Sequence, residues 1–165
     1  MSYNIRNYGA VGDGLVLDTA AIQSCICECS ANGGGTVIIP PGTYLVGSIQ
    51  LKGNVNLHFD MGAKFLGSRD LDHHFDPDEP VDYTLYQDVS HSYFHHSLLW
   101  GEGIANIAIT GFGIIDMQSE WEKDESRSYM RRGAKIIALR ECNHVIITDL
   151  TLKNSTDLAV YLAGC

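Results

Sequence analysis

The stretch ECNHVIITDLTLKNSTDLAVYLAGC, residues 141–165, contains one full repeat of the chain. Within it, three short apolar runs are separated by residues that favour turns: Val145-Ile146-Ile147, Leu150-Thr151-Leu152 and Ala159-Val160-Tyr161-Leu162. The pattern returns to its starting point after 23 residues, from Cys142 to Cys165. Three short strands in one such period are the layout of a coil in a three-sided parallel β-helix. The stretch therefore predicts a solenoid.

Similar runs occur upstream of this repeat. Segments that begin with asparagine and continue with alternating apolar residues start at Asn54, Asn106 and Asn143. We interpret these asparagines as turn or ladder residues that satisfy backbone groups where coils bend. From Gly35 onward the chain consists of short β-rich runs interrupted by Gly, Pro or Asn. The expected fold class is all-β, a right-handed parallel β-helix.

One helix is predicted near the N-terminus, over residues 18–31. Asp18 is a suitable N-cap, one helix face is apolar, and Asn32 with the glycines after it ends the segment. We expect this helix to cover the open end of the solenoid, where unpaired strand edges would otherwise invite association. The chain is then a single domain with a cap over 1–34 and coils over 35–165, interrupted by insertions at 68–97 and 117–134.

Composition excludes several classes of function. The chain has 165 residues, a net charge of −9 and a pI near 5.0, which opposes binding to phosphate backbones. No apolar run is long enough for a membrane span, and the first residues do not form a signal peptide. The protein is expected to be cytoplasmic, or secreted with its signal removed. No cofactor is expected.

The cysteines do not predict an internal disulfide framework or a metal site. There are five, an odd number, and Cys25, Cys27 and Cys29 are too close together for a framework. On a helix, Cys27 points away from the face that Cys25 and Cys29 share, so metal binding there is disfavoured. Free cysteines in such positions usually serve as small buried hydrophobes.

The two insertions carry the candidate binding residues. His95, His96, Trp100 and Glu102 border the first insertion and could line a sugar-binding groove, or could instead anchor the packing of the loop. The histidines of this insertion could also bind a metal, but adjacent pairs diverge in an extended segment, which disfavours it. Arg131, in the second insertion, could pair with a substrate carboxylate, or could be solvated beside neighbouring acidic residues.

The N-terminal motifs resemble a known group of proteins. Tyr3-Asn4-Ile5-Arg6-Asn7-Tyr8-Gly9-Ala10-Val11-Gly12-Asp13-Gly14, with 18–23 and 33–44, is similar to the N-terminus of pectate-lyase-superfamily β-helix proteins. Residues 106–116, 137–147 and 152–155 resemble glycoside hydrolase family 28, the polygalacturonases and their relatives. Met117 stands where that family usually has Gly. The resemblance implies a pectic polysaccharide or oligosaccharide as partner.

The family 28 resemblance also implies where catalysis would take place. Its members are inverting hydrolases, whose carboxyl groups stand roughly 6.5 to 9.5 Å apart around a water. Their Asn-Thr-Asp, Asp-Asp, Gly-His-Gly and Arg-x-Lys motifs do not occur here. Asp157, in Asn154-Ser155-Thr156-Asp157, is interpreted as a turn residue. The catalytic residues are therefore expected downstream of Cys165, and the 165 residues alone are expected to be inactive.

Three functions remain open from the sequence. The first is the N-terminal part of a pectin-degrading hydrolase, of polygalacturonase or rhamnogalacturonan hydrolase type. The second is a non-catalytic β-helix module that binds carbohydrate or self-associates through an uncapped C-terminal end, where Val160 and Leu162 would be exposed. The third is a polysaccharide lyase.

Overall fold

A computed structural model describes residues 1–79, 93–118, 133–155 and 157–165. Two strands, β1 (Ser2–Asn4) and β2 (Asp13–Leu17), precede helix α1 (Thr19–Ala31). The remaining elements are, in chain order, β3 (Gly35–Ile39), β4 (Gly42–Val46), β5 (Ile49–Gln50), β6 (Val55–Phe59), β7 (Ala63–Gly67), α2 (Leu71–His74), β8 (Ser97–Glu102), β9 (Ala105–Gly111), β10 (Ile114–Asp116), β11 (Lys135–Arg140), β12 (Asn143–Ile147), β13 (Thr151–Lys153) and β14 (Val160–Ala163).

In the described part of the chain, the strands form three parallel sheets. Sheet 1 has the order β1-β3-β6-β9-β12, sheet 2 the order β2-β4-β7-β10-β13, and sheet 3 the order β5-β8-β11-β14. Each coil contributes one strand to each sheet: coil 1 is β3–β5, coil 2 is β6–β8, coil 3 is β9–β11 and coil 4 is β12–β14. The predicted three-sided parallel β-helix is confirmed.

Inward side chains stack into continuous apolar columns. In sheet 1, Tyr3, Val37, Leu57, Ile109 and Ile147 occupy the same register position in five successive strands. The first four are buried, and Ile147, in coil 4, is half-buried. Burying an aliphatic side chain of this size contributes about 1.5–3 kcal/mol. The core is therefore a column built from repeated contacts between neighbouring coils.

Helix α1 covers the N-terminal end of this column, as predicted. Its apolar face, formed by Ile22, Cys25, Ile26 and Cys29, is fully buried, and Cys27 is exposed. Two features were not predicted: a 3-10 helix over Ile5–Tyr8, and strand β2, which begins at Asp13. The four-residue helix α2 was not expected either.

Asp18 precedes α1, but the predicted capping role is wrong. Its backbone has φ −92° and ψ −1°, outside the extended region that lets an N-cap side chain reach the first helical N–H groups. The carboxylate instead accepts hydrogen bonds from the backbone N–H groups of Val11, at 2.6 Å, and Gly12, at 3.0 Å. Asp18 therefore fastens the loop that precedes β2.

Both insertions leave the solenoid at the same corner, between sheet 2 and sheet 3. The first connects β7 to β8, and the second connects β10 to β11. The strands on either side stay in register, since β7 pairs with β10 and β8 pairs with β11. Residues 80–92 and 119–132 lie outside the described part of the chain. Among the described residues, no helix is long and apolar enough to cross a membrane.

Candidate binding cleft

A cleft of about 700 Å³ lies between the N-terminal cap and the first insertion. Its walls come from three parts of the chain: the start of α1, the corner of coil 1, and the insertion with the β8 strand that follows it. The lining residues are Leu17, Thr19, Ala20, Gln23, Ser48, Gln50, His73, His74, Asp76, Pro77, Asp78, Glu79, His95 and Trp100.

The described start of the first insertion, residues 68–79, packs against coil 1 at a corner that has no bulky side chain. A Cβ atom on Gly47 would lie 1.7 Å from the carbonyl oxygen of His74, so only glycine fits there. Next to it, Ser48 donates a backbone hydrogen bond to that carbonyl at 3.0 Å. The Ser48 hydroxyl donates to the carbonyl of Ser97 at 2.7 Å and accepts from the N–H of Asp76 at 2.9 Å. These contacts fix the insertion wall of the cleft.

An aromatic cluster forms the floor. The rings of His95 and Trp100 lie 4.1 Å apart between centroids, inclined by 30°, and the buried ring of Phe94 meets Trp100 edge-on at 5.9 Å. The indole N–H of Trp100 donates to Oδ2 of Asp76 at 2.7 Å. Because this hydrogen bond holds the indole ring in place, Trp100 presents a fixed flat surface to the cleft.

Behind the aromatic floor lies a charged network. The Glu79 carboxylate is buried and accepts hydrogen bonds from the backbone N–H groups of Phe94 and His95 at 3.0–3.1 Å. Arg140 lies over the Phe94 ring at 4.1 Å, approaches Glu79 at 3.6 Å and donates from Nε to Glu102 at 2.7 Å. Arg140 thus connects the insertion to coil 3.

His95 carries a polar atom without a hydrogen-bond partner. Its Nε2 is buried and unsatisfied, and the nearest charged atom recorded is Oε2 of Glu102 at 3.9 Å. Buried ring nitrogens usually have a partner, so an unpaired one beside a cleft is a candidate for contact with a ligand. A flat ring pair with hydrogen-bonding groups around it suits a sugar, whose apolar face stacks while its hydroxyls bond to polar groups.

The predicted site residues do not all meet in the cleft. His95 and Trp100 line it. Glu102 lies behind them, bonded to Arg140. His96 is turned toward the loop, with Nδ1 3.2 Å from the carbonyl oxygen of Asp76 and its ring 5.7 Å from Phe75. Arg131 lies outside the described residues. Trp100 faces the cleft and also anchors the loop through Asp76, so the packing role is observed and the sugar-binding role stays a prediction.

Sequence reasoning missed Asp76, Glu79, Arg140 and Gln23. Asp76 bonds to Trp100, 24 residues further along the chain, and Glu79 bonds to Phe94, 15 residues further along. Arg140 belongs to a β-strand in the next coil, which the insertion reaches only once the solenoid is wound. Gln23 looked like an ordinary helix residue. The predicted stacking of coils was the only feature of the sequence that could have indicated a role for these four residues.

Two other carboxylates are engaged in ion pairs away from the cleft. Asp157 bonds through Oδ1 to the N–H of Leu158, consistent with a turn, and through Oδ2 to the buried ammonium of Lys135 at 3.2 Å. Asp116 lies 2.9 Å from Lys64 and 3.2 Å from Lys153, and accepts from the amide of Asn154. Among the described residues, no group of three or more His, Cys, Asp or Glu side chains is arranged to hold a metal.

Comparisons with known proteins bear on the class of site. The family described as "Rhamnogalacturonase A/epimerase, pectate lyase-like" matches residues 2–64. A Vitis vinifera protein named "Probable polygalacturonase" is 29% identical over 97% of this chain and 34% of its own length. An exo-poly-alpha-D-galacturonosidase of Dickeya chrysanthemi is 36% identical over 68% of this chain and 19% of the relative.

A solved structure agrees with these relatives. The family 28 exopolygalacturonase of Yersinia enterocolitica aligns with a TM-score of 0.72 at 26% identity, over 93% of this chain and 34% of that one. The chain spans about a third or less of each of these three proteins.

Proposed function

Because the chain belongs to the pectate lyase-like β-helix family that includes the family 28 polygalacturonases, we propose that it forms the N-terminal coils of a pectin-degrading glycoside hydrolase. The substrate is a galacturonate-containing polymer or oligomer, cleaved with inversion as in polygalacturonases or rhamnogalacturonan hydrolases. The observation that carries the proposal is the match to a polygalacturonase-named relative over 97% of the chain.

In this proposal the catalytic carboxylates lie outside residues 1–165. An acid and a base that work on a glycosidic bond must face the substrate and exchange protons with it. Asp116 and Asp157, which end or follow strands on the corner of the insertions, are instead held by lysines. The N-terminal coils therefore serve as a cap and as part of the binding surface.

We assign sugar binding to the cleft. Trp100 and His95 provide a stacking surface, and the unpaired Nε2 of His95 is available to a sugar hydroxyl. Glu102 lies behind His95 and is bonded to Arg140, and His96 supports the loop through its contact with Asp76. Arg131, on the second insertion of the same corner, is proposed to contact a substrate carboxylate.

Isothermal titration calorimetry of the 165-residue chain with galacturonate oligomers tests the binding assignment, since it needs no fluorescent reporter. We expect Trp100→Ala to weaken binding tenfold or more, since loss of an aromatic anchor costs about 2 kcal/mol or more and about 1.4 kcal/mol is a factor of ten. Phe112→Ala is the matched control, because Phe112 is an exposed aromatic outside the cleft. Equal affinities of the Trp100→Ala variant and the unaltered chain would refute the assignment.

Hydrolysis is tested separately from binding. Reducing-sugar release from polygalacturonan and from rhamnogalacturonan should be seen with the whole parent protein and not with residues 1–165 alone. Absence of release from either polymer by the parent protein would count against a pectin hydrolase. Turnover by the 165-residue chain would show instead that the catalytic groups lie within it.

A second candidate function is supported by coil 4. Strands β12, β13 and β14 stand at the ends of their sheets, and Ile146, Val160 and Leu162 are exposed beside them. Such edges can pair with another copy. In this alternative the chain is a non-catalytic module that self-associates. Light scattering tests this alternative. Oligomers that are abolished by Leu162→Lys would support self-association, and a monomer at all concentrations would contradict it.

A further inference from the structure

Cys142 and Cys165 lie one above the other, at the corner where sheet 3 leads into sheet 1. Strands β11 and β14 pair in parallel with Arg140 opposite Ala163, and the N–H of Glu141 donates to the carbonyl of Ala163 at 2.8 Å. Two residues after this pair, Cys142 therefore faces Cys165 across the coil boundary. Neighbouring strands are about 4.8 Å apart, within the Cα separations of roughly 4.4–6.8 Å that a disulfide spans.

The two thiols also make equivalent contacts, displaced by one coil. The Cys142 sulfur lies 3.5 Å from the carbonyl oxygen of Gly101 and 3.3 Å from that of Arg140. The Cys165 sulfur lies 3.6 Å from the carbonyl oxygen of Leu139 and 3.7 Å from that of Ala163. Gly101 pairs with Leu139, and Arg140 pairs with Ala163. The side chains thus point the same way.

We propose that Cys142 and Cys165 form a reversible disulfide that fastens coil 4 to coil 3. The oxidant is a low-molecular-weight disulfide. The exposed Cys165 thiolate attacks one of its sulfurs, forming a mixed disulfide and releasing one thiolate. The Cys142 thiolate then attacks the Cys165 sulfur and releases the second. Two protein thiols are oxidised, one small disulfide is reduced to two thiols, and the two cysteine protons pass to them.

Of the remaining thiols, the two buried ones on α1 are poor competitors for this reaction. Burial raises the pKa of Cys25 to about 12 and that of Cys29 above its usual value, so both remain protonated thiols. Cys27 is exposed, on the outer face of α1. Burial also raises the pKa of Cys142, so the second exchange step should accelerate as the pH rises. Formation of the Cys142–Cys165 disulfide does not depend on whether the cleft binds a sugar, or on which one.

Oxidation of the reduced chain with oxidised glutathione at about pH 8, followed by an acid quench, tests the proposal. Trypsin cuts after Arg140 and Lys153, so digestion without reductant should yield peptide 141–153 linked to peptide 154–165, two hydrogens lighter than their sum. In the Cys27→Ser variant, which lacks the other exposed thiol, the count of free thiols after unfolding should fall from four to two. The oxidised chain should also unfold at a higher temperature, and a reductant should reverse this.

Two variants make the result specific. Cys165→Ser replaces an exposed residue and should abolish both the linked peptide and the thermal shift. The matched control, Cys27→Ser, should retain both. The proposal is wrong if oxidation of the unaltered chain gives covalent dimers through Cys165, a glutathione adduct that persists on Cys165, or links that involve Cys27.

Discussion

Single residues with positive φ set where each coil turns from sheet 3 into sheet 1. Asn54, Asn106 and His144 occupy equivalent positions, with φ of 61°, 57° and 53°, and Gly34 precedes them with φ 101°. The Asn106 amide donates to Oδ1 of Asn54 at 2.8 Å, and Nδ1 of His144 lies 3.1 Å from Oδ1 of Asn106. Asparagine and histidine are among the residues that tolerate this conformation best.

The sequence predicted this column in part. Asn54 and Asn106 are ladder residues, as interpreted, but the third position was assigned to Asn143 and that assignment is wrong. The register pairs Asn143 with Ala105, so His144 faces Asn106. The error arose because Asn143 repeats the residue type of the earlier turns, whereas the backbone conformation repeats one residue later.

We expect Asn106→Ala to lower the free energy of unfolding by about 1–2 kcal/mol. Alanine loses a ladder hydrogen bond worth about 1 kcal/mol and is strained at positive φ. Asn143→Ala is the control, because Asn143 is outside the positive-φ column, and its effect should be below about 0.5 kcal/mol. Urea denaturation measures both. Equal effects would mean that the column does not stabilise the turns.

Asp116 links three coils through charge. It accepts from Lys64 in coil 2 and from Lys153 and Asn154 in coil 4, and its side chain is almost fully buried. Burial alone would raise its pKa, but the hydrogen bonds from Lys64, Asn154, Gln118 and Lys153 outweigh this and hold the pKa of Asp116 well below its usual value.

The contribution of Asp116 to the free energy of unfolding therefore depends on pH. Because the pKa of Asp116 is lower in the folded chain, its contribution is fully present above the ordinary aspartate pKa of about 3.9 and is lost progressively as the pH falls from there toward the lowered pKa of the folded chain. We expect Asp116→Asn to cost about 2 kcal/mol near pH 7, and we expect this cost to shrink steadily as the pH is lowered below about 4. Asp149→Asn, an exposed control, should show no such trend. A penalty independent of pH would contradict the ion-pair account.

At the scale of elements, helix α1 closes the edge of sheet 3 with its side chains. The Gln23 amide donates to the carbonyl of Gln50 at 2.9 Å and accepts from the N–H of Gln50 at 2.8 Å. Thr19 accepts from the N–H of Gly47, and Ser30 donates to the carbonyl of Gly53. The helix was predictable from its periodicity, but these contacts were not, because they depend on which strand lies beneath it.

We expect Gln23→Ala to destabilise the chain by about 2 kcal/mol, because it removes both hydrogen bonds to the edge strand β5. The neighbouring Ser24→Ala should change stability by less than about 0.5 kcal/mol, since Ser24 bonds only within the helix, to Ala20. Thermal unfolding followed by circular dichroism compares them. If Ser24→Ala proved as damaging as Gln23→Ala, edge closure by Gln23 would be disproved.

At the scale of the whole molecule, stability comes from contacts between successive coils. The solenoid and its helix could be predicted because short apolar runs recur at a readable period. The cleft could not, because it brings the cap, the corner of coil 1 and the insertion together across dozens of residues. Only Trp100 and His95 of the predicted site line it, since the sequence does not show which way an insertion folds.

Hydrogen exchange should reveal the stacking order directly. Coil 2 is packed on both sides, whereas coil 4 has a described neighbour only on the coil 3 side. We expect backbone amides of β12–β14 to exchange at least tenfold faster than those of β6 and β7, because local opening costs less free energy at an end. Mass spectrometry of peptides from both regions measures this. Uniform protection would indicate that the chain opens only as one unit.

Because the start of the first insertion packs against coil 1, helix α1 has a second role. If the first insertion packed against coil 3 instead, helix α1 would not contribute to the cleft. Instead Thr19, Ala20 and Gln23 form one wall of the cleft while they also seal the stack. Shortening or exchanging the cap to obtain a more stable protein would therefore also change the wall of the proposed binding cleft, so the two properties are not independent.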